Sequence, residues 1–161
     1  MKTMGCDMRI AEVEYDISLA YENGHVICDF ASLDCVAENT LSYKLKKVFY
    51  SYNVEYWRRR YVGRKNDGVL GTALKHHTDP YMKLHLYSLF VRRKHYDKHS
   101  CKYLHNALKD LKTQMLSNGE ENLAILKSAF AKGKSSEDWL DAEKAVENIF
   151  NNTFIDIWIY V

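Results

Sequence analysis

Four groups of side chains have the types that bind or transform ligands. The first is the small-residue run Ser128-Ala129-Phe130-Ala131-Lys132-Gly133, which follows the apolar stretch Leu123-Ala124-Ile125-Leu126. A loop leaving the carboxyl end of the first strand of a βαβ unit is where such units seat a ligand, so residues 128–138 are expected to form part of any site. The second is the tract Trp57-Arg58-Arg59-Arg60-Tyr61. With Arg92, Arg93, Lys94, Lys98 and Lys102 it carries groups that grip phosphates and stack on bases. The third is the set of seven histidines, of which His76 and His77 are adjacent. No acidic or cysteine partner stands at ligand spacing from them, so no metal site is expected. The fourth is Cys35 beside Asp34. A neighbouring carboxylate raises a thiol's pKa, and no histidine is close in sequence, so Cys35 is read as structural.

The elements that must position these groups follow from periodicity. Arg9 to Tyr15 and His25 to Phe30 are expected strands, with Asn23-Gly24 a turn before the second. Leu41, Leu45, Val48 and Phe49 fall on one helical stripe. Residues 51–68 mix aromatic and basic types without a clean stripe and are expected to be irregular. Val69 to Leu74 and Tyr81 to Val91 are expected strands, separated by the break Asp79-Pro80. Ser100 is placed to cap a helix whose apolar stripe is Leu104, Ala107, Leu108, Leu111 and Met115, and Asn118-Gly119 ends it. Strand 123–126, a helix with Trp139, Ala142, Val146, Ile149 and Phe150 on one face, the stop Asn151-Asn152 and strand 154–161 complete a βαβ unit. This alternation predicts an α/β fold with a mixed sheet of about six strands.

Composition narrows the function classes. A chain of 161 residues is expected to form a single domain, 1–161, with a substantial core. Its 23 basic residues are nearly balanced by 21 acidic ones, so net charge alone argues for neither nucleic acid nor membrane, and a solvated face is the simpler reading of the basic tract. Four cysteines without paired spacing, no apolar signal core and no long apolar run predict an intracellular protein (cytoplasmic or nuclear) that does not span a membrane.

The order of elements, read with short stretches of sequence, resembles the macro domain, a family that binds ADP-ribose. Val13-Glu14-Tyr15-Asp16-Ile17 is similar to the end of that family's first strand, with Tyr15 in the place of a glycine. Leu86-Tyr87-Ser88-Leu89-Phe90-Val91 looks like its Asn-Leu-Phe strand, and Asp138-Trp139 through Phe150 looks like its last helix. The resemblance implies a three-layer α/β/α sandwich. It also implies that Asp16, next to Ile17, contacts adenine, that Ser32 lies near the distal ribose, and that the backbone of 129–133 holds the diphosphate. The cleft would be made by loops 31–40 and 128–138.

This chain departs from the family where its chemistry sits. Glu38 and Thr40, flanking the ligand-binding candidate Asn39, stand near the glycines of the loop after the second strand, and Ala129-Phe130-Ala131 replaces a Gly-X-Gly pattern ahead of Gly133. Glycines allow close backbone approach to a diphosphate, whereas alanine adds a Cβ and Glu38 brings a negative charge towards an anion. The expectation is a module that binds ADP-ribose or a related nucleotide without a cofactor and without efficient hydrolysis of ADP-ribosyl bonds, no catalytic residue being assigned. The competing expectation is a degenerate scaffold that binds protein or nucleic acid through Trp57, Arg58, Arg59, Arg60, Tyr61, Arg92 and Arg93.

Overall fold

The computed structural model describes residues 2–4, 8–36, 41, 54–77, 84–130 and 136–161. In chain order these give β1 (Lys2–Met4), β2 (Met8–Val13), α1 (Ser18–Glu22), β3 (Val26–Ser32), α2 (Val54–Lys65), β4 (Ala73–Lys75), β5 (His85–Arg92), α3 (Cys101–Ser117), β6 (Asn122–Leu126), α4 (Ser136–Phe150) and β7 (Asp156–Tyr160). The strands form one sheet in the order β1-β2-β7-β6-β3-β5-β4. The five inner strands are parallel, and β1 and β4 are added antiparallel at the edges. The short β1 is the one strand beyond the six expected from sequence.

Alternation along each strand divides the core into two faces. Val26, Cys28 and Phe30 of β3 pack with Leu104, Leu108, Leu111 and Met115 of α3 and with Trp139, Ala142, Val146, Ile149 and Phe150 of α4. Ile27 of β3 and Leu86 of β5 point the other way, against Ile17, Ala20 and Leu41. Ala31 and Phe90 continue that second face beneath Tyr61 and Val62 of α2. Helices therefore cover both faces of a largely parallel sheet, as such sheets require. The helix ends obey local chemistry. The Ser100 hydroxyl oxygen accepts the Tyr103 N–H at 3.5 Å, and Gly119 and Asn152 take positive φ just past the ends of α3 and α4.

Several boundaries differ from the sequence reading. Residues 54–65 are helical where the sequence predicts an irregular stretch, and the position facing inward on α2 is Arg58, a polar residue that erases the apolar stripe. The strand expected to reach Tyr15 is β2, which ends at Val13 and leaves Tyr15 outside it and 65% exposed. The strand expected from Val69 begins only at Ala73, after a 3-10 turn over Asn66–Val69. Gly71 explains the delay: its φ is +82°, and a Cβ there would meet the Asn106 Cβ at 3.1 Å. The expected helix over Leu41 to Phe49 lies outside the described residues except for Leu41, which is buried, and the Asp79-Pro80 break lies outside them too. Among the described residues, no helix is long and apolar enough to cross a membrane.

Candidate functional site

Because β2, β7, β6, β3 and β5 are parallel, their carboxyl ends open onto one edge of the sheet, and the loops that leave them line it. Asp16 follows β2, is exposed, and its carboxylate accepts the Ser18 N–H at 2.9 Å as α1 begins. Ile17 is buried beneath it. Ser128 is exposed in the 3-10 turn Lys127–Phe130 that leaves β6 and also contains Ala129 and Phe130. Ser32 closes β3 and is buried. Asp16, Ser128 and Ser32 thus stand on one edge. Glu38, Asn39, Thr40, Ala131, Lys132 and Gly133 lie outside the described residues.

Next to Ser32 the structure brings together two residues far apart in sequence. The Ser32 hydroxyl donates to the Asp34 carboxylate, which also accepts the Val36 N–H at 3.3 Å, the His95 N–H at 3.0 Å and the His95 Nδ1 at 2.8 Å. Burial alone would raise the Asp34 pKa. The hydrogen bonds from Ser32 and His95 outweigh it and hold the carboxyl well below the usual range. Since Nδ1 faces Asp34, the neutral imidazole presents Nε2 as its acceptor. His95 was not singled out from sequence beside Asp34. The signal that could have found it is the parallel pairing of β3 with β5, which runs their exit loops side by side: Leu33 and Asp34 donate their N–H groups to the Arg92 and Arg93 carbonyls. Chemically this is a locked loop. A carboxylate with four donors is a poor proton acceptor, and it holds Ser32 in place.

Cys35 is buried, and burial raises its thiol pKa, which disfavours the reactive thiolate. Its Sγ–H points to the Leu33 carbonyl at 3.5 Å.

The basic surface needs correction at two positions. Arg58 is 1% exposed: its Nη2 lies 2.6 Å from Asp29 Oδ2, and its Nε donates to Ser88 Oγ at 2.8 Å. Arg92 is also buried and donates to the Phe30 and His95 carbonyls at 3.3 Å. Both arginines were expected at the surface, but a guanidinium can be buried when an acid or backbone carbonyls from neighbouring strands receive its fork. Trp57, Arg59, Arg60 and Arg93 remain exposed, while half-buried Tyr61 stacks on Phe90 at 5.6 Å between centroids. His76 is buried with Nε2 2.7 Å from Ser88 Oγ, while His77 is exposed. Among the described residues, no group of three or more His, Cys, Asp or Glu could hold a metal ion.

No protein-family model matches the chain, and no curated protein matches it in sequence. Solved structures do match in shape. The macrodomain of Mycobacterium tuberculosis DarG superimposes with a TM-score of 0.75 at 15% identity, covering 94% of this chain and 96% of that one. A macrodomain protein from Streptomyces coelicolor gives 0.71 at 13% identity, covering 95% and 99%. Thermosipho africanus DarTG, solved in complex with ADP-ribose, gives 0.71 at 12% identity, covering 95% of this chain and 42% of that one. Identities this low carry the fold and nothing finer: the chain adopts the macro-domain fold, in a form whose sequence has diverged from these structures.

Proposed function

We propose that the cleft at the carboxyl edge of the sheet binds ADP-ribose or a closely related nucleotide, and that it holds this ligand without efficient hydrolysis. The observation that carries the reading is the linear order of the candidate residues along that edge. Asp16 follows β2, Ser128 follows β6, and Ser32 ends β3, and the sheet runs β2-β7-β6-β3. At about 4.8 Å per strand, Asp16 and Ser32 stand on strands ~14 Å apart, with the 127–130 turn between them. That order and span suit an elongated ligand with a base at one end, a diphosphate in the middle and a sugar at the other. A protein of the same fold, Thermosipho africanus DarTG, was solved with ADP-ribose bound, which supports this choice of ligand.

In this reading Asp16 accepts from the adenine amino group, Ile17 supports the base from below, backbone N–H groups of 129–133 meet the diphosphate, and Ser32 lies by the distal ribose. Asp34 disfavours efficient turnover. Its oxygens are already occupied by Ser32, Val36 and His95, and its pKa is depressed, which leaves it a weak general base.

Calorimetric titration with ADP-ribose tests the assignment. Asp16→Ala is expected to weaken binding at least tenfold while leaving the thermal unfolding midpoint within a few degrees, because Asp16 is exposed and its hydrogen bond from the Ser18 N–H supports only the start of a short helix. Equal binding by the wild type and the variant would remove Asp16 from the site. Absence of heat for a folded wild type would remove the ligand.

A further inference from the structure

The basic tract on α2 borders a cavity away from the carboxyl edge of the sheet. It measures about 250 Å³ and lies between α2 and the edge strand β4 with the residues that follow it. Trp57, Arg60, Tyr61 and Arg64 are spaced i, i+3, i+4 and i+7 along α2, so they form one stripe of the helix. Facing them are His77 and Lys75, whose ammonium lies 3.5 Å from Glu120, and among the described residues no acidic side chain lines the cavity. Arg59, next in sequence but off the stripe, is paired with Glu55 at 3.3 Å. Arg60 lies over the Trp57 ring at 5.7 Å to the centroid, which puts a cation and an aromatic plane in one wall. The wall is anchored from behind: Arg58 of the same helix is tied to Asp29 and Ser88, and His76 joins Ser88 from the strand side.

We propose that this α2–β4 cavity is a second binding site, separate from the carboxyl-edge cleft, that takes one nucleotide unit by its phosphate and base. Arg60 and Arg64 receive the phosphate, and Trp57 offers the stacking face. The volume decides the size of the occupant. Pockets for whole drug-sized ligands run from roughly 300 to 1,000 Å³, so this one accommodates a single nucleotide rather than a molecule with two nucleoside-like ends. Charge decides its sign, since the charged side chains of the lining, Arg60, Arg64 and Lys75, are all cationic. The nucleotide can come from a single strand of nucleic acid or from a free mononucleotide, and the two sources are separable by experiment.

The full chain is titrated with a fluorescein-labelled ten-residue oligothymidylate, followed by anisotropy, and with unlabelled thymidine 5′-monophosphate, followed by amide NMR shifts. Variants are Arg60→Glu with Arg64→Glu, and Trp57→Ala. All three positions are exposed, so the fold should persist, and circular dichroism checks that it does. The double charge reversal is expected to weaken binding more than tenfold and Trp57→Ala about fivefold or more, with a log–log salt slope of at least ~0.7 for the wild type. ADP-ribose titrations should be unchanged in both variants, which separates this site from the cleft. Binding of the oligonucleotide assigns a nucleic-acid strand, and shifts around Trp57 with the monophosphate alone assign a free nucleotide. No binding of either probe at 50 mM salt, or binding that both variants retain, would overturn the proposal.

Discussion

Arg58→Ala is expected to cost about 3–5 kcal/mol of folding free energy, more than any exposed substitution considered above. Arg58 and Asp29 form a salt bridge in which both side chains are almost wholly buried, at 1% and 0% exposure, on the helix-covered face between β3 and β5. The acid lies on a strand at the middle of the sheet, where water does not replace a lost guanidinium. Truncation therefore leaves a buried carboxylate without its cation, and it also removes the Nε donor to Ser88. Lysine should restore only part of the loss, because a single ammonium cannot address Asp29 and Ser88 with the geometry of a fork. The double change Asp29→Asn with Arg58→Met should be less damaging than Arg58→Ala, since it removes both charges together. Urea unfolding followed by far-UV circular dichroism measures all three. A loss below about 1 kcal/mol for Arg58→Ala would mean that Asp29 finds water, and the account of α2 would fail with it.

Folding stability is expected to fall as pH drops from 7 to 4, at a limiting rate of about 1.4 kcal/mol per pH unit for each histidine that the fold keeps neutral. His76 is the main source. Burial, helped by the nearby Arg58 charge, lowers its pKa to about 3. The unfolded chain binds this proton near pH 6.5 and the folded chain does not until about 3. Between those values the unfolded state holds more protons, so stability is full above about 6.5 and is lost progressively below it. His25, stacked on Trp158, is shifted in the same direction by burial and adds to the slope. Asp34 acts lower in the range. Its depressed carboxyl stabilises the fold above the ordinary carboxylate pKa of ~3.9 and loses that contribution only in stronger acid. Urea midpoints at half-unit steps from pH 7 to 4 measure the slope. His76→Gln should flatten it even if the variant is weaker at pH 7, and an unchanged slope would relocate the effect to another group.

The parts of this fold legible from sequence are those whose cause is local. The stripes Leu104–Met115 and Trp139–Phe150, the Ser100 cap and the β-rich run ending at Tyr160 each carry their own periodicity, and each stands where that periodicity puts it. Helix α2 was illegible because its inward residue is an arginine made acceptable by Asp29 and Ser88, which lie 29 and 30 residues away in sequence. A still longer separation hid His95, whose partner Asp34 is 61 positions earlier and is brought to it by the pairing of β3 with β5. For the candidate site, the sequence reading places Asp16, Ser128 and Ser32 in loops or strand ends, and the strand order that sets them along one edge comes from the structure. The hydrogen bonds that hold Ser32 required coordinates.

The measurement that tests the central claim most directly is an amide NMR titration of the whole chain with ADP-ribose. Binding in the carboxyl-edge cleft predicts that the largest shifts fall in residues 14–18, 32–36 and 127–130, with His95 moving alongside Asp34 and with β4 and residues 57–64 unmoved. Saturating ADP-ribose that shifts none of those three loops, or that shifts only the residues around the α2–β4 cavity, would contradict it.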